Sequence, residues 1–278
     1  MRFRAGLLTA MIFLLSGCGT DGKVTEDTPK ESSEQPTTSE QGIEPEKEKV
    51  KNKEENTKET AAKPEENITQ IYQVNQTNWK IEPIDDSSKQ VALLTIDDAP
   101  DRYSLEMAKK LKELNASAIF FVNGQFLESD EKKKVLKQIY DMGFEIGNHT
   151  YSHVSLPDID EEKQREEIIK VNDMVEEITG DRPRFFRAPF GQNTEFSKQI
   201  AKEEKMQLMN WTMGYDWEKQ YQNKDDLVKI MLTSTELYPG ANLLMHDREW
   251  TKDALPELVE GLRAKGYKLI NSREIKSL

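Results

Sequence analysis

Val91-Ala92-Leu93-Leu94-Thr95-Ile96-Asp97-Asp98-Ala99-Pro100 is an unbroken apolar run that ends in two adjacent carboxylates. Its first six residues read as a strand. Two carboxylates just past an apolar strand are costly if buried unpaired. Adjacent side chains on an extended segment point opposite ways, so Asp97 and Asp98 should do different work. Taken alone, the pair also fits a turn in which one of them caps the next helix.

Outward from this strand the pattern repeats. Six more strand candidates follow at Ala118 to Val122, Phe144 to Gly147, Arg184 to Arg187, Gln207 to Trp211, Asn242 to Met245 and Tyr267 to Asn271. Helical patterns separate them at Leu105 to Leu114, Lys132 to Met142, Glu161 to Ile178, Thr194 to Glu203, Asp225 to Leu237 and Asp253 to Ala264. Gly143, Gly180 and Gly266 follow three of these as helix stops. Strand then helix, repeated through about 190 residues, implies an α/β fold with a parallel sheet and outer helices, as a barrel or an open doubly wound sheet. Both architectures place their chemistry at the C-terminal strand ends.

Those strand ends are chemically rich. The chain has three histidines. Two form His149-Thr150-Tyr151-Ser152-His153, an i, i+4 pair that converges on one ion if it occupies a helical turn, and His246 closes the sixth strand candidate. All three therefore fall on the face expected to carry the chemistry. Arg187-Ala188-Pro189-Phe190-Gly191 puts a permanently charged partner for a carboxylate at the fourth strand end, with a turn able to aim a backbone N–H into the site. Trp211, Tyr215 and Trp217 surround Asp216, as in a platform for a sugar ring, although aromatic clusters also serve simply as core.

In this order, Thr95-Ile96-Asp97-Asp98-Ala99, His149-x-x-x-His153, Arg187-x-Pro189-Phe190, Asp216-Trp217 and Leu244-x-His246 resemble the five motifs of the polysaccharide deacetylase family of carbohydrate esterases, also called the NodB homology domain. The resemblance spans roughly Val91 to Asn271. It implies a distorted (β/α) barrel of about seven parallel strands with outer helices. It further implies a divalent metal, usually Zn2+, with Co2+, Mn2+ or Ni2+ as alternatives, and removal of N-acetyl groups from N-acetylglucosamine in a β-1,4-linked glycan such as peptidoglycan or a chitin-like polymer. By the same resemblance Asp98, His149 and His153 hold the metal and Asp97 is the general base. His246 is the acid, Arg187 orients Asp97 and Asp216 tunes His246. The Phe190 N–H serves the oxyanion, while Trp217 and Leu244 shape the pocket. Two positions depart from the family pattern. Ala99 stands where glycine is usual, and Met213 stands where the first aspartate of Asp-x-x-Asp-Trp is usual.

The remaining chain is of another kind. Of 278 residues, 36% are hydrophobic and 32% charged, which is lean for a chain that is all core. Residues 1–17 read as a signal peptide: Arg2 and Arg4 precede the apolar run Ala5 to Leu15, too short for a comfortable membrane span. Leu15-Ser16-Gly17-Cys18 resembles a lipoprotein box, and Cys18 is the single cysteine. The expectation is diacylation at Cys18, two chains making an anchor that one would not. Residues 18–66 read as a disordered acidic tether with fourteen acidic against eight basic residues and no aromatic. A flexible coil of that length spans about 35–40 Å r.m.s.. Residues 67–90 lead into the catalytic domain, 91–278, as an extra strand, a lid or the end of the tether. The expected protein is a monomer, lipid-anchored at the extracytoplasmic face of the cell membrane. Its net charge of −12 argues against nucleic acid as a partner.

Two other functions use the same features: an O-acetyl esterase acting on a polysaccharide, and a non-catalytic carbohydrate-binding surface protein. A glycosidase fits poorly, since neighbouring carboxylates on one strand end are badly placed to flank a glycosidic bond. A zinc peptidase fits poorly too, because His149 to His153 lacks the glutamate of His-Glu-x-x-His.

Overall fold

The computed structural model describes residues 68–278. The signal peptide, Cys18 and the tether therefore lie outside the described residues. In chain order the strands are β1 (Tyr72–Val74), β2 (Ile81–Pro83), β3 (Val91–Ala99), β4 (Ala118–Val122), β5 (Glu145–Asn148), β6 (Phe185–Phe186), β7 (Gln207–Leu208), β8 (Ala241–His246) and β9 (Lys268–Leu269). The helices are α1 (Ser104–Glu113), α2 (Asp130–Asp141), α3 (Glu161–Thr179), α4 (Glu195–Glu203), α5 (Lys224–Thr233) and α6 (Glu249–Ala264).

Seven strands form one parallel sheet in the order β7-β6-β5-β4-β3-β8, with β9 paired to the start of β3. The sheet curls into a half-barrel surrounded by helices, as expected for a distorted (β/α) barrel. Between β7 and β8 the ring is bridged irregularly: Thr212 N–H donates to the Asn242 carbonyl at 2.9 Å and Leu244 N–H to the Met213 carbonyl at 2.8 Å. This crossing explains why the strand expected over Gln207 to Trp211 stops at Leu208. Beyond it the backbone leaves β6 to reach β8. The strand expected over Tyr267 to Asn271 shortens similarly, because β9 pairs only with Val91 and Ala92.

Alternation along β3 builds the two layers. Ala92, Leu94 and Ile96 face the helices, while Val91 and Leu93 face inward. Thr95 and Asp97 continue the inner column upward, so apolar filling gives way to polar groups near the strand end. Below, the lead segment forms an antiparallel hairpin of β1 and β2. Its Tyr72, Val74 and Ile81 pack with Val91, Leu93, Phe121, Phe185, Ile270 and Ile275. The hairpin is thus the floor of the barrel, at the pole opposite the C-terminal strand ends.

Helix ends follow local chemistry. Ser129, Asp160, Thr194 and Asn223 each accept a backbone N–H of the first turn that follows. Gly180 stops α3 at φ 91°, a left-handed cap without a Cβ penalty. Two expected bounds shift. α5 ends at Thr233 rather than Leu237, since Ser234 leaves helical backbone and Ser234 to Leu237 form a turn before Pro239. α6 begins at Glu249 and runs through Pro256. A proline there leaves the carbonyl four residues back without its helical donor. Lys110 Nζ fills that place, donating to the Lys252 carbonyl at 3.0 Å.

Candidate active site

The C-terminal ends of β3, β5, β6 and β8 surround a cleft of about 520 Å³. Asp97, Asp98, His149, His153, Phe190, Asp216, Trp217, Leu244 and His246 all line it. Arg187 lies beneath, fully buried.

Asp97 ends the inner column of β3. Its Oδ1 accepts Arg187 Nη1 at 2.7 Å, and its Oδ2 stands 3.5 Å from His149 Nε2. The guanidinium spends all five donors inside the protein. Nε donates to the Met209 carbonyl, Nη1 to Thr95 Oγ1 and Asp97, and Nη2 to the Asn210 carbonyl and, at 3.5 Å, Asn242 Oδ1. It also lies 4.3 Å over the Phe121 ring. A buried charge is tolerated on these terms because it is both paired and saturated with acceptors.

Asp98 does not point away from Asp97 as an extended strand would require. Its φ is 62°, and the β3–β4 register shifts between Ile96 and Ala99. The left-handed residue breaks the alternation, so both carboxylates open onto one cleft. Ala99 has no positive φ, so a methyl at this usual glycine position is accommodated. Asp98 Oδ2 accepts Arg248 Nη2 at 2.8 Å, and Oδ1 lies 3.7 Å from His153 Nε2. Burial pushes the Asp98 carboxyl up, but His246, His149, Arg248 and His153 together outweigh it and hold the group below its ordinary range.

His149 and His153 converge without the expected helical turn. Thr150 and His153 adopt φ of 65° and 60°, folding the loop after β5 back on itself. Together with Asp98 and Phe190 (φ 58°), four of the seven left-handed non-glycine residues described sit in site loops, where local strain is commonly held by surrounding structure. His149 Nδ1 lies 2.7 Å from the Arg187 carbonyl. A carbonyl can only accept, so Nδ1 carries the proton and Nε2 keeps its lone pair toward the cleft. Burial lowers the His149 pKa, which favours this neutral form. One oxygen of Asp98 and one nitrogen of each histidine lie within 4.8 Å of one another. One carboxylate and two imidazoles suit a divalent metal and leave positions for water and substrate.

Across the cleft, His246 pairs with Asp216. Asp216 is fully buried and accepts His246 Nδ1 at 2.7 Å, His246 N–H at 2.6 Å and Thr251 Oγ1 at 2.7 Å. Burial works against a charged imidazole, but Asp216, aided by Asp97 and Asp98, prevails and raises His246 to about 9. The rim is aromatic. Phe190 is 60% exposed with its ring edge-on to His153, and Trp217, 42% exposed, stands edge-on to His246. Gly214 permits this packing, since a Cβ there would meet the Leu244 carbonyl at 2.6 Å and the Trp217 ring at 2.7 Å.

Met213 is buried in the layer between sheet and helices and does not line the cleft. Of the aromatic platform expected from the sequence, Trp211 and Trp217 line the cleft and Tyr215 does not. Three lining residues are not singled out by the sequence: Gln222, Arg248 and Trp250. Arg248 and Trp250 carried a usable signal, lying two and four places beyond His246. Gln222 carried none.

A family model described as polysaccharide deacetylase matches residues 84–209, a span that includes the motifs from Asp97 to Phe190 and stops short of Asp216 and His246. A peptidoglycan-N-acetylglucosamine deacetylase of Bacillus cereus is 30% identical over 190 residues, covering 66% of this chain and 67% of that protein. The peptidoglycan-N-acetylmuramic acid deacetylase PdaC of Bacillus subtilis is 29% identical over 72% of this chain, which spans only 41% of it. The crystal structure of a pseudoenzyme of carbohydrate esterase family 4 from Bacillus anthracis superposes with a TM-score of 0.61 at 29% identity, over 68% of this chain and 67% of that one. With such relatives, fold and motif order, the chain belongs to the polysaccharide deacetylase family, whose deacetylases depend on a divalent metal.

Proposed function

We propose that this protein removes N-acetyl groups from N-acetylglucosamine residues of peptidoglycan or a related β-1,4-linked glycan. The observation that carries the reading is the facing of two dyads across one cleft, Asp97 with Arg187 and His246 with Asp216, beside the Asp98, His149 and His153 cluster.

An amide is a weak electrophile with a poor leaving group. It needs a polarised carbonyl, an activated water and a proton for the amine. A divalent cation held by Asp98, His149 and His153, Zn2+ by first choice, supplies Lewis acidity and lowers the pKa of water to about 7. Asp97 takes the proton of the attacking water on Oδ2, the oxygen Arg187 leaves open. The Phe190 N–H receives the oxyanion that develops on the former carbonyl; in support, it makes no backbone hydrogen bond among the described residues. His246 enters as the imidazolium and gives its Nε2 proton to the departing nitrogen as the C–N bond breaks, yielding acetate and a free amino sugar. Trp217 and Leu244 bound the space for sugar and acetyl methyl.

The test is acetate release from N-acetylglucosamine oligomers and peptidoglycan by the metal-loaded chain. No release with any divalent metal defeats the proposal. Mass spectrometry of muropeptides from cells with and without the protein assigns the glycan and the sugar deacetylated.

We further propose that acylated Cys18 anchors the protein outside the membrane. In support, Ile68, the first described residue, lies beside Lys112 and Met142 at the C-terminal ends of α1 and α2, the pole opposite the cleft. Cys18→Ala should leave the membrane fraction and take up no labelled palmitate; retention of either property defeats the anchor.

A further inference from the structure

His246, Asp247 and Arg248 are consecutive, and each side chain serves a different part of the site. His246 faces the cleft. Asp247, 1% exposed, accepts the N–H groups of Arg102, Tyr103 and Ser104 at 3.0, 2.5 and 2.9 Å, together with the Ser104 hydroxyl. It thereby ties down the turn after β3 and caps α1, which has no side-chain cap from its own Tyr103. Arg248 donates from Nη1 to the Asp247 carbonyl at 2.9 Å and from Nη2 to Asp98 Oδ2 at 2.8 Å.

That last bond has no substitute. Among the described residues it is the one hydrogen bond the Asp98 carboxylate accepts, since His153 Nε2 at 3.7 Å is beyond hydrogen-bond reach. Asp98 is also less enclosed than Asp97, with its side chain 16% exposed against 3%. A carboxylate beside a dication can engage it through one oxygen or two. Packing does not decide between these here, and a planar guanidinium, itself anchored by Nη1, does.

We propose that Arg248 is a positioning residue for the metal site. It holds Asp98 Oδ2 so that Oδ1 alone is presented with the two histidine Nε2 atoms, and the cation is bound through one carboxylate oxygen. The inference rests on the reading of Asp98, His149 and His153 as metal ligands. Two opposing effects bear on affinity. The guanidinium charge repels a dication, while the fixed ligand needs no ordering when the ion arrives. Removal of such outer partners commonly weakens metal binding 10–100-fold, so ordering is the larger effect.

The substitution is structurally mild. Arg248 is the N-cap residue of α6 but makes no side-chain capping bond. Zinc affinity of the purified full chain, measured by competition with a chromophoric chelator, should fall about 10-fold or more in Arg248→Ala at unchanged melting temperature of the metal-free protein. Arg248→Lys should recover part of the loss, and the visible spectrum of the Co2+-loaded chain should change in Arg248→Ala. A folded Arg248→Ala with affinity within about twofold of the parent, or tighter, overturns the proposal. So does a raised KM with unchanged metal affinity, which makes Arg248 a substrate contact. If Arg248→Ala does not fold, Arg248→Met, which keeps the apolar stem, is held to the same criterion. A parent chain that binds neither Zn2+ nor Co2+ overturns the metal reading as well.

Discussion

Arg187 and Asp97 lie 90 positions apart, yet their side chains meet at 2.7 Å, both buried. The pair joins the end of β6 to the end of β3 across the barrel interior. It also turns one oxygen of Asp97 away from the protein and toward the cleft.

Arg187→Met should therefore damage fold and site together. It removes the donors of Asp97, Thr95, Met209 and Asn210 around a fully buried guanidinium position. Breaking one side of a buried pair typically costs about 3–5 kcal/mol. Urea unfolding should show that loss, and Arg187→Lys should not restore it, because one ammonium cannot reach acceptors spread over a planar fork. Unchanged unfolding midpoints would count against this account.

Asp97→Asn separates base from scaffold. The amide keeps an oxygen for Arg187 but cannot accept the proton of water. Turnover should drop about 10²–10⁴-fold while zinc affinity largely persists. Comparable turnover in the variant removes Asp97 from the base role.

Asp216→Asn should move the alkaline limb of the kcat/KM profile to lower pH. With His246 raised to about 9, the imidazolium acid persists through neutral pH and is lost as pH climbs through that value. Without the carboxylate the same loss comes earlier. The folded pKa lies above the unfolded one, so the pair's stabilisation is full below the unfolded value of about 6.5 and disappears as pH rises through about 9. An alkaline limb that does not move identifies another group as the acid.

Chelation should abolish acetate release, and added Zn2+ should restore it. His153→Ala should lose metal with little loss of fold, since that side chain is 28% exposed. His149→Ala should lose both, because its ring is 3% exposed and packs edge-on to Phe121. Equal stability of the two variants contradicts the burial argument.

The floor of the barrel offers a test away from the chemistry. Ile81→Ala should destabilise by about 2–5 kcal/mol, as expected for deleting a fully buried branched side chain. An effect below the lower figure in urea unfolding means the hairpin is not an integral part of the core.

Much of the site was legible because it is local. An apolar run stopped by charges marks a strand end, and in a parallel α/β fold the strand ends share one face. Asp97, His149, Arg187 and His246 are therefore expected together from the sequence alone. The direction of Asp98 is not legible in this way, because its left-handed backbone breaks the alternation of the strand. Nor is the way His149 and His153 meet, because two left-handed residues stand in place of a helical turn. Arg248 is not legible for a different reason: its partner Asp98 is 150 positions away, and no local pattern records such a pairing.

The sequence by itself determined the order of strands and helices, the residue types available at each strand end and the family to which the chain belongs. These depend on periodicity and motif, which are properties of neighbouring residues. Only the tertiary structure decided that both aspartates enter one cleft, that Arg187 is saturated beneath it, that a hairpin from the lead segment floors the barrel, and that Arg248 holds Asp98. Each of these depends on backbone torsions or on contacts between segments distant in the chain. Such contacts become favourable only once the barrel has closed and excluded water from around them.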